Sequence, residues 1–195
     1  MKMQQIKELV QNSIDIKSAI LEDEELLQKI STLSSKCIKA LKSGGKIIFC
    51  GNGGSFADSQ HLSAEFTSRF KFDRPGLSSL ALGTNSSTMT AIGNDYGYEN
   101  IFAREINAIA TSSDILIAIT TSGNSNNILK AIEEAKKANV TVFVMTGAKK
   151  GKIPENIDTL FVPSNDTARI QECHILIGHI ICEIVESEIF ENLKS

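Results

Sequence analysis

Residues 46–65 read KIIFCGNGGSFADSQHLSAE, and this stretch decides the fold. An apolar run, Lys46–Cys50, is followed by the glycine-rich segment Gly51–Ser55 and then by a pattern typical of a helix. A strand, a glycine turn and a helix in this order form many phosphate sites. The predicted helix also carries His61 and Glu65, which are four residues apart and therefore share one face. The stretch thus predicts a phosphate site with acid/base or metal-binding groups beside it.

Short apolar runs recur along the chain, and helical patterns lie between most of them. Continuous apolar runs suit strands that are buried on both faces, and their alternation with helices indicates a parallel sheet covered on both sides. The predicted strands are Lys46–Cys50, Leu77–Leu82, Ile115–Thr120, Val140–Met145 and Thr159–Val162. The predicted helices between them are Phe56–Phe70, Tyr98–Ala110 and Ser125–Ala138, and a long helix follows from about Thr167 to Asn192.

The segment before the first strand is also predicted to be helical. Residues 1–43 have the periodicity of two helices. Since we find no linker, we expect a single domain over residues 1–195, with the N-terminal helical extension packed on the same domain or on a neighbouring subunit.

The composition excludes several classes of protein. A net charge of -3 argues against binding of nucleic acid through phosphate neutralisation, and no apolar run approaches the length of a membrane span. The four cysteines show no C-x-x-C spacing, and three of them lie in apolar patterns. We therefore expect reduced, mostly buried thiols in a cytoplasmic protein.

A second glycine turn follows the third apolar run. Residues 119–127 read ITTSGNSNN and again precede a helical pattern. Hydroxyl groups and free backbone N–H groups at a helix start can surround a phosphate without Lys or Arg. Either turn alone could be a simple tight connection, but the two together favour a ligand that bears a phosphate. Neither the spacing of a Rossmann dinucleotide site nor that of a P-loop is present.

The C-terminal helix carries polar residues on a largely apolar pattern. Gln171 and His179 are eight residues apart and share a broad face, whereas His174 lies further round the helix and is assigned a mainly structural role. Three acidic residues of this helix are expected to be solvated: Glu172, Glu183 and Glu186.

Taken together, these motifs resemble the phosphoheptose isomerase family of the sugar isomerase (SIS) fold. The resemblance covers nearly the whole chain. It rests on CGNGGS (50–55), HLSAE (61–65), GNDYG (93–97), TSGNS (121–125) and RIQECH (169–174) followed by His179. Taken alone, the GNDYG segment would be an ordinary turn.

The resemblance implies a fold and an activity. The fold would be a three-layer αβα arrangement with a five-stranded parallel sheet, N-terminal helices and a long C-terminal helix. The activity would be aldose–ketose isomerisation of sedoheptulose 7-phosphate to D-glycero-D-manno-heptose 7-phosphate through an enediol, for lipopolysaccharide or capsule precursors. The resemblance also implies one Zn²⁺ per subunit and a homotetramer with active sites near subunit interfaces.

The resemblance further assigns roles to particular residues. The catalytic acid/base residues would be Glu65 and His179. The zinc ligands would be His61, Glu65, Gln171 and His179. The residues that bind substrate would be Asn52, Gly53, Gly54, Ser55, Glu65, Asn94, Asp95, Thr120, Thr121, Ser122, Ser125 and Gln171. The chain has Thr120 where some members have Ser, and Ala168 where some have Asp, so no role of that acid carries over.

One geometric difficulty follows from this zinc site. On a straight helix Gln171 and His179 are ~12 Å apart along the axis. We therefore expect a site that combines residues of more than one subunit, or a distorted C-terminal helix.

Three alternatives to this isomerase exist on the same fold. One is a non-catalytic binding protein similar to the DnaA initiator-associating protein, in which the positions of Glu65 and His179 are not acid/base residues. Another is a sugar-phosphate-sensing transcription regulator, for which no basic recognition helix precedes the first strand. A third is an isomerase of a different sugar phosphate.

Overall fold

The structure, a computed structural model, describes residues 2–193. Its strands are β1 (Ile47–Gly51), β2 (Ser79–Ala81), β3 (Ile115–Ile119), β4 (Thr141–Thr146) and β5 (Asp158–Phe161). Its α-helices are α1 (Lys2–Glu22), α2 (Glu24–Lys42), α3 (Gly54–Thr67), α4 (Ser86–Tyr96), α5 (Ile101–Ile109), α6 (Asn126–Lys137) and α7 (Thr167–Ile189). The strands form one parallel sheet in the order β2-β1-β3-β4-β5.

The predicted three-layer fold with a five-stranded parallel sheet is confirmed. Residues of α2, α3 and α7 form the apolar core on one face of the sheet, and residues of α5 and α6 form the core on the other. Every residue of β1 and of β3 is buried, as the continuous apolar runs predicted. Gly51 pairs with Ile119 at the ends of β1 and β3, so the two glycine turns leave the sheet side by side.

The four cysteines are buried and unpaired, as expected. Burial raises the pKa of each of these thiols, so they stay protonated and are poor nucleophiles. None of the helices within residues 2–193 is long and apolar enough to cross a membrane.

The helix α4 was absent from the sequence prediction. It buries only Ile92 among its eleven residues, so it lacks the apolar stripe that identifies a helix. Its start is set by Asn85, whose side chain accepts hydrogen bonds from the backbone of Ser87 and Thr88. The predicted turn over residues 93–97 is therefore wrong: residues 93–96 form the last turn of α4, and only Gly97, with a φ of 87°, leaves the helix.

The N-terminal helices differ in how deeply they are packed. The helix α2 buries one face that includes Leu33 and Cys37, whereas α1 buries only Ile20. Ile16 and Ile20 near its end pack on the apolar core. Nearer its start, α1 is held by polar contacts: Ser13 donates to Glu172 at 2.7 Å, and Arg169 donates to the carbonyl of Leu9 at 2.9 Å. An apolar stripe of α1 consequently stays exposed, consisting of Met3, Ile6, Leu9, Val10 and Ile14.

The expectation that Glu186 is solvated is wrong. Its side chain is 1% exposed and forms an ion pair with the equally buried Arg74, with 2.8 Å between Nε and Oε1. No local pattern indicates this partner, because Arg74 lies 112 residues earlier in a segment without regular structure.

Candidate active site

The first glycine turn passes directly from β1 into α3. Gly53 has a φ of 56°, which glycine adopts readily. The N–H of Ser55 donates to the carbonyl of Asn52 at 3.0 Å and closes the turn. A Cβ at Gly51 would lie 2.4 Å from the carbonyl oxygen of Ser55, so only glycine allows this approach. The first turn of α3 is thereby held against the end of β1.

The second glycine turn is tied to the first by a pair of amides. The side chains of Asn52 and Asn127 exchange two hydrogen bonds, of 2.9 and 2.8 Å. Asn127 is buried at the start of α6, and Tyr98 donates to the same Asn52 oxygen at 3.1 Å. Within the second turn, the N–H of Gly123 donates to the hydroxyl of Thr120 at 3.3 Å. The two turns therefore form one rigid unit.

A cavity of about 320 Å³ opens between the two turns, and we call it the glycine-turn cavity. It brings together seven of the predicted substrate-binding residues from both turns, together with Gln171 of α7. Its lining residues are Asn52, Gly53, Gly54, Ser55, Ile119, Thr120, Thr121, Ser125, Thr167 and Gln171. No Lys or Arg lines it among the residues that the structure describes, so an anion there would be bound by N–H, hydroxyl and amide groups of these residues.

Three reactive side chains meet where α3 packs beside α7, and we call them the His/Glu cluster: His61, Glu65 and His179. His61 Nε2 lies 3.0 Å from Glu65 Oε1, and His179 Nε2 lies 3.3 Å from His61 Nε2. One donor atom from each residue lies within 4.8 Å of the others. Two imidazoles and a carboxylate at this spacing suit a Zn²⁺ ion.

The surroundings of His179 favour its neutral form. Burial lowers the pKa of His179, and the nearby charges of His61 and Lys71 lower it further, while Glu65 opposes them. The ring of Phe70 covers the imidazole, with 5.5 Å between the ring centroids. A neutral imidazole is the form that binds a metal or accepts a proton.

The helix α7 reaches both the glycine-turn cavity and the His/Glu cluster. It runs without interruption from Thr167 to Ile189, so the expected distortion is absent. A Cβ at Gly54 would lie 2.4 Å from Gln171 Nε2, which shows that this amide packs against the start of α3. His179 follows two turns later, and His61, Glu65 and His179 meet within one chain. Participation of Gln171 as a metal ligand stays a prediction.

The structure does not bring every predicted site residue to the cavity. Asn94 and Asp95 are exposed on α4 and hydrogen bond to each other at 2.8 Å. Ser122 lines a neighbouring cavity of about 190 Å³ instead. A larger cavity of about 700 Å³ lies along α6 and contains none of the predicted site residues.

Three residues of the site were missed by sequence reasoning. Asn127 and Tyr98 orient Asn52, and Thr167 lines the glycine-turn cavity. Asn127 stands in the quoted second turn, so its amide was visible in the sequence, but its buried pairing with Asn52 depends on the tertiary fold. Thr167 follows the helix cap Asp166, a position that marks a free helix N-terminus.

Comparison with known proteins agrees with this geometry. A model of the SIS domain matches residues 10–147. Phosphoheptose isomerase of Aneurinibacillus thermoaerophilus is 53% identical over 188 residues, which cover 96% of this chain and 95% of that protein. Phosphoheptose isomerase 2 of Campylobacter jejuni is 54% identical over 180 residues, covering 92% and 90%. The structure of a phosphoheptose isomerase from Francisella tularensis has a TM-score of 0.90 at 36% identity and covers 96% and 99%.

The chain therefore belongs to the SIS domain family, whose fold it has over the matched residues. Within that family, the relatives named above are phosphoheptose isomerases, and the resemblance stated from the motifs is confirmed.

Proposed function

We propose that the chain is an aldose–ketose isomerase that converts sedoheptulose 7-phosphate to D-glycero-D-manno-heptose 7-phosphate through an enediol. The observation that carries this proposal is the placement of the glycine-turn cavity and the His/Glu cluster along one helix. Ser55 at the start of α3 lines the cavity, and His61 and Glu65 follow it by about 9 and 15 Å along the helix axis. An extended sugar of several carbons has its phosphate and its carbonyl end separated in this way.

The phosphate would occupy the glycine-turn cavity. The N–H groups that begin α3 and α6, and the hydroxyls of Ser55, Thr120 and Ser125, supply donors to its oxygens. Because these donors are neutral and fixed by the turns, they bind the part of the substrate that does not react. Binding energy from this end positions the sugar against the His/Glu cluster.

The proton transfer would take place at the His/Glu cluster. Isomerisation needs a base that removes a carbon-bound proton and a group that stabilises the negative charge developing on the neighbouring oxygen. We assign the first role to Glu65, whose side chain is 25% exposed and therefore accessible to a ligand. We assign the second to His179, which would donate a hydrogen bond to the sugar oxygen when no metal ion is bound to that nitrogen.

The donor set also fits the zinc ion that the family resemblance implies. His61, Glu65 and His179 would hold it, with Gln171 as a further ligand. When bound, zinc supplies a Lewis acid that polarises a sugar oxygen. Since a carboxylate has two oxygens, Glu65 can bind the ion with one and accept the proton with the other.

The assembly and the setting are also proposals. The exposed apolar stripe of α1 is suited to pack against further copies of the chain, which supports a homotetramer with active sites near its interfaces. Asn94 and Asp95 are exposed on α4 and do not line the glycine-turn cavity, so their part in substrate binding rests on the family resemblance alone. Free thiols support a cytoplasmic location, and the product would feed synthesis of heptose precursors for lipopolysaccharide or capsule.

Incubation with sedoheptulose 7-phosphate, with and without a metal chelator, tests the proposal. We expect an aldose to form, with a rate that the chelator lowers and added Zn²⁺ restores. A parallel incubation with a six-carbon ketose phosphate measures the preference for sugar length. If no aldose forms from either sugar while the phosphosugar still binds, the chain is a non-catalytic binding protein of the same fold.

A further inference from the structure

We propose that the buried ion pair of Arg74 and Glu186 is a positioning device that sets the spacing of His61 and Glu65 against His179. This inference rests on the proposed function, since it assigns these two residues a part in the same reaction. Neither residue belongs to the His/Glu cluster. Arg74 bonds to the end of α3, which carries His61 and Glu65, and Glu186 lies on α7, which carries His179.

Arg74 holds the end of α3. Its guanidinium donates to the carbonyls of Glu65 at 2.9 Å, Phe66 at 2.7 Å and Ser68 at 3.0 Å. The last carbonyls of a helix lack partners within the helix, so these bonds cap α3 at the turn that carries Glu65. The position of Arg74 therefore determines where the carboxylate of the cluster is held.

Glu186 holds the same guanidinium from α7. It lies seven residues after His179, which places both on one face of the helix. Its carboxylate accepts from Arg74 Nε at 2.8 Å and from the backbone N–H groups of Phe70 and Lys71 at 2.8 and 2.7 Å. Each side chain of the pair is 1% exposed, so water does not compete for these bonds.

The same carboxylate also places the wall of the site. Because Glu186 binds the N–H of Phe70, it fixes the segment whose ring covers His179. Arg74 and Glu186 thus connect the end of α3 and one face of α7, which carry the His/Glu cluster, with the segment of Phe70 that covers it.

The buried pair of Arg74 and Glu186 is better explained by the orientation that it gives to its partners than by a contribution to the stability of the fold. Bringing two charges out of water costs about as much as their attraction returns, so a buried ion pair adds little net stability. Several fixed hydrogen bonds do specify orientation, however, and metal ligands must be held to within about 0.5 Å. The glycine-turn cavity lies at the opposite end of α3 and is not touched by the pair.

A second buried carboxylate in the chain, which pairs with a partly exposed lysine, provides a control. Asp114 has a side chain that is 1% exposed and binds Lys46 Nζ at 2.7 Å. It also accepts from the backbone N–H groups of Lys46 and Thr111, so its number of partners is similar. Asp114 precedes β3 and Lys46 precedes β1, so the pair lies at the end of the strands opposite to the glycine turns.

The test compares Glu186→Gln with Asp114→Asn in the full-length protein. Zn²⁺ affinity is measured by competition with a chelating dye, together with kcat, KM and the melting temperature. We expect both variants to melt at lower temperature. Only Glu186→Gln should lose Zn²⁺ affinity and kcat, each by roughly tenfold or more, with little change in KM. Arg74→Lys, which keeps the charge but makes fewer bonds, replaces Glu186→Gln if that variant does not fold.

The proposal is overturned if the Arg74 or Glu186 variant binds Zn²⁺ as tightly as the wild type, or loses no more affinity than Asp114→Asn. If the wild type itself binds no Zn²⁺, the proposed metal site fails, and the spacing is measured directly in metal-free crystals. There, a longer separation of the two Nε2 atoms of His61 and His179 in the variant supports the positioning role, and an unchanged separation overturns it.

Discussion

The glycine-turn cavity and the His/Glu cluster are built by different means. The cavity consists of turns that leave neighbouring strands, so its donors are backbone N–H groups, hydroxyls and amides fixed by the register of β1 and β3. The cluster consists of charged and titratable side chains on α3 and α7. Its geometry depends on how two helices pack and on buried contacts such as that of Arg74 with Glu186.

This difference separates binding from chemistry. In the proposed complex many neutral donors would share one phosphate, so loss of a single one should weaken binding moderately. The three members of the cluster would have separate tasks, so loss of one should remove a step of the reaction. Variants of the two regions should therefore change different kinetic constants.

The largest effect is expected from the cluster. Glu65→Gln removes the proposed base while keeping its size, and His179→Asn removes the imidazole. We expect kcat to fall by roughly 10²- to 10⁴-fold in each variant, with KM changed little, because general acid/base groups contribute about this much. Steady-state kinetics with sedoheptulose 7-phosphate measure both constants.

A matched control for these variants is Glu188→Gln, since Glu188 is exposed on the same helix as His179. It should keep wild-type kinetics. Near-normal activity of Glu65→Gln or of His179→Asn would contradict the role assigned to that residue. It would also contradict the assignment of the chemistry to the cluster and of binding to the cavity.

A moderate effect is expected from the cavity. Ser55→Ala removes a buried hydroxyl that lines it, and a hydrogen bond to a charged group contributes about 1.5–3 kcal/mol. We expect KM to rise by roughly tenfold or more, with kcat within a few-fold of wild type. Ser35→Ala, at an exposed serine of α2, is the control. If kcat of Ser55→Ala falls as much as that of Glu65→Gln, the cavity does not act in binding alone.

The smallest effect on catalysis is expected from His174, which belongs to neither region. It is fully buried on α7. Burial lowers the pKa of His174 from 6.5 to about 4, although the backbone of Thr146 opposes the shift. The unfolded chain therefore takes up a proton below pH 6.5 that the folded chain refuses until about pH 4, so acid favours unfolding.

We accordingly expect the free energy of unfolding to decrease as pH falls from 6.5 to 4, by up to about 3 kcal/mol from this group. His174→Leu should lose less stability than the wild type over the same window, while keeping its kcat at neutral pH. Denaturant unfolding at a series of pH values measures this. Equal pH dependence in the two proteins would mean that His174 is not the responsible group.

The sequence predicted the fold well because its signals are local. The buried strands form continuous apolar runs, and the helices that pack on the sheet have apolar stripes. The helix α4 has no such apolar stripe, because Ile92 is its only buried residue. Both glycine turns were found because each combines a strand, glycines and a helix start within a few residues.

The contacts that complete the site were less predictable. The helical spacing of His61 and Glu65 predicted that they share one face. That His179 joins them, 118 residues after His61, was predicted only from the family resemblance. The bonds of Asn127 to Asn52 and of Arg74 to Glu186 also join distant segments. Polar residues in such pairs look like solvated ones until packing brings them together, as the wrong expectation for Glu186 illustrates.

The most direct test of the central claim is proton NMR of sedoheptulose 7-phosphate in D₂O with the wild-type protein. A carbon-bound proton removed through an enediol can be replaced by deuterium from the solvent. The account predicts that an aldose 7-phosphate appears and that its C2 position carries deuterium. Unchanged ketose, with no aldose and no deuterium at C1, would contradict the claim that this cavity and cluster together form an isomerase.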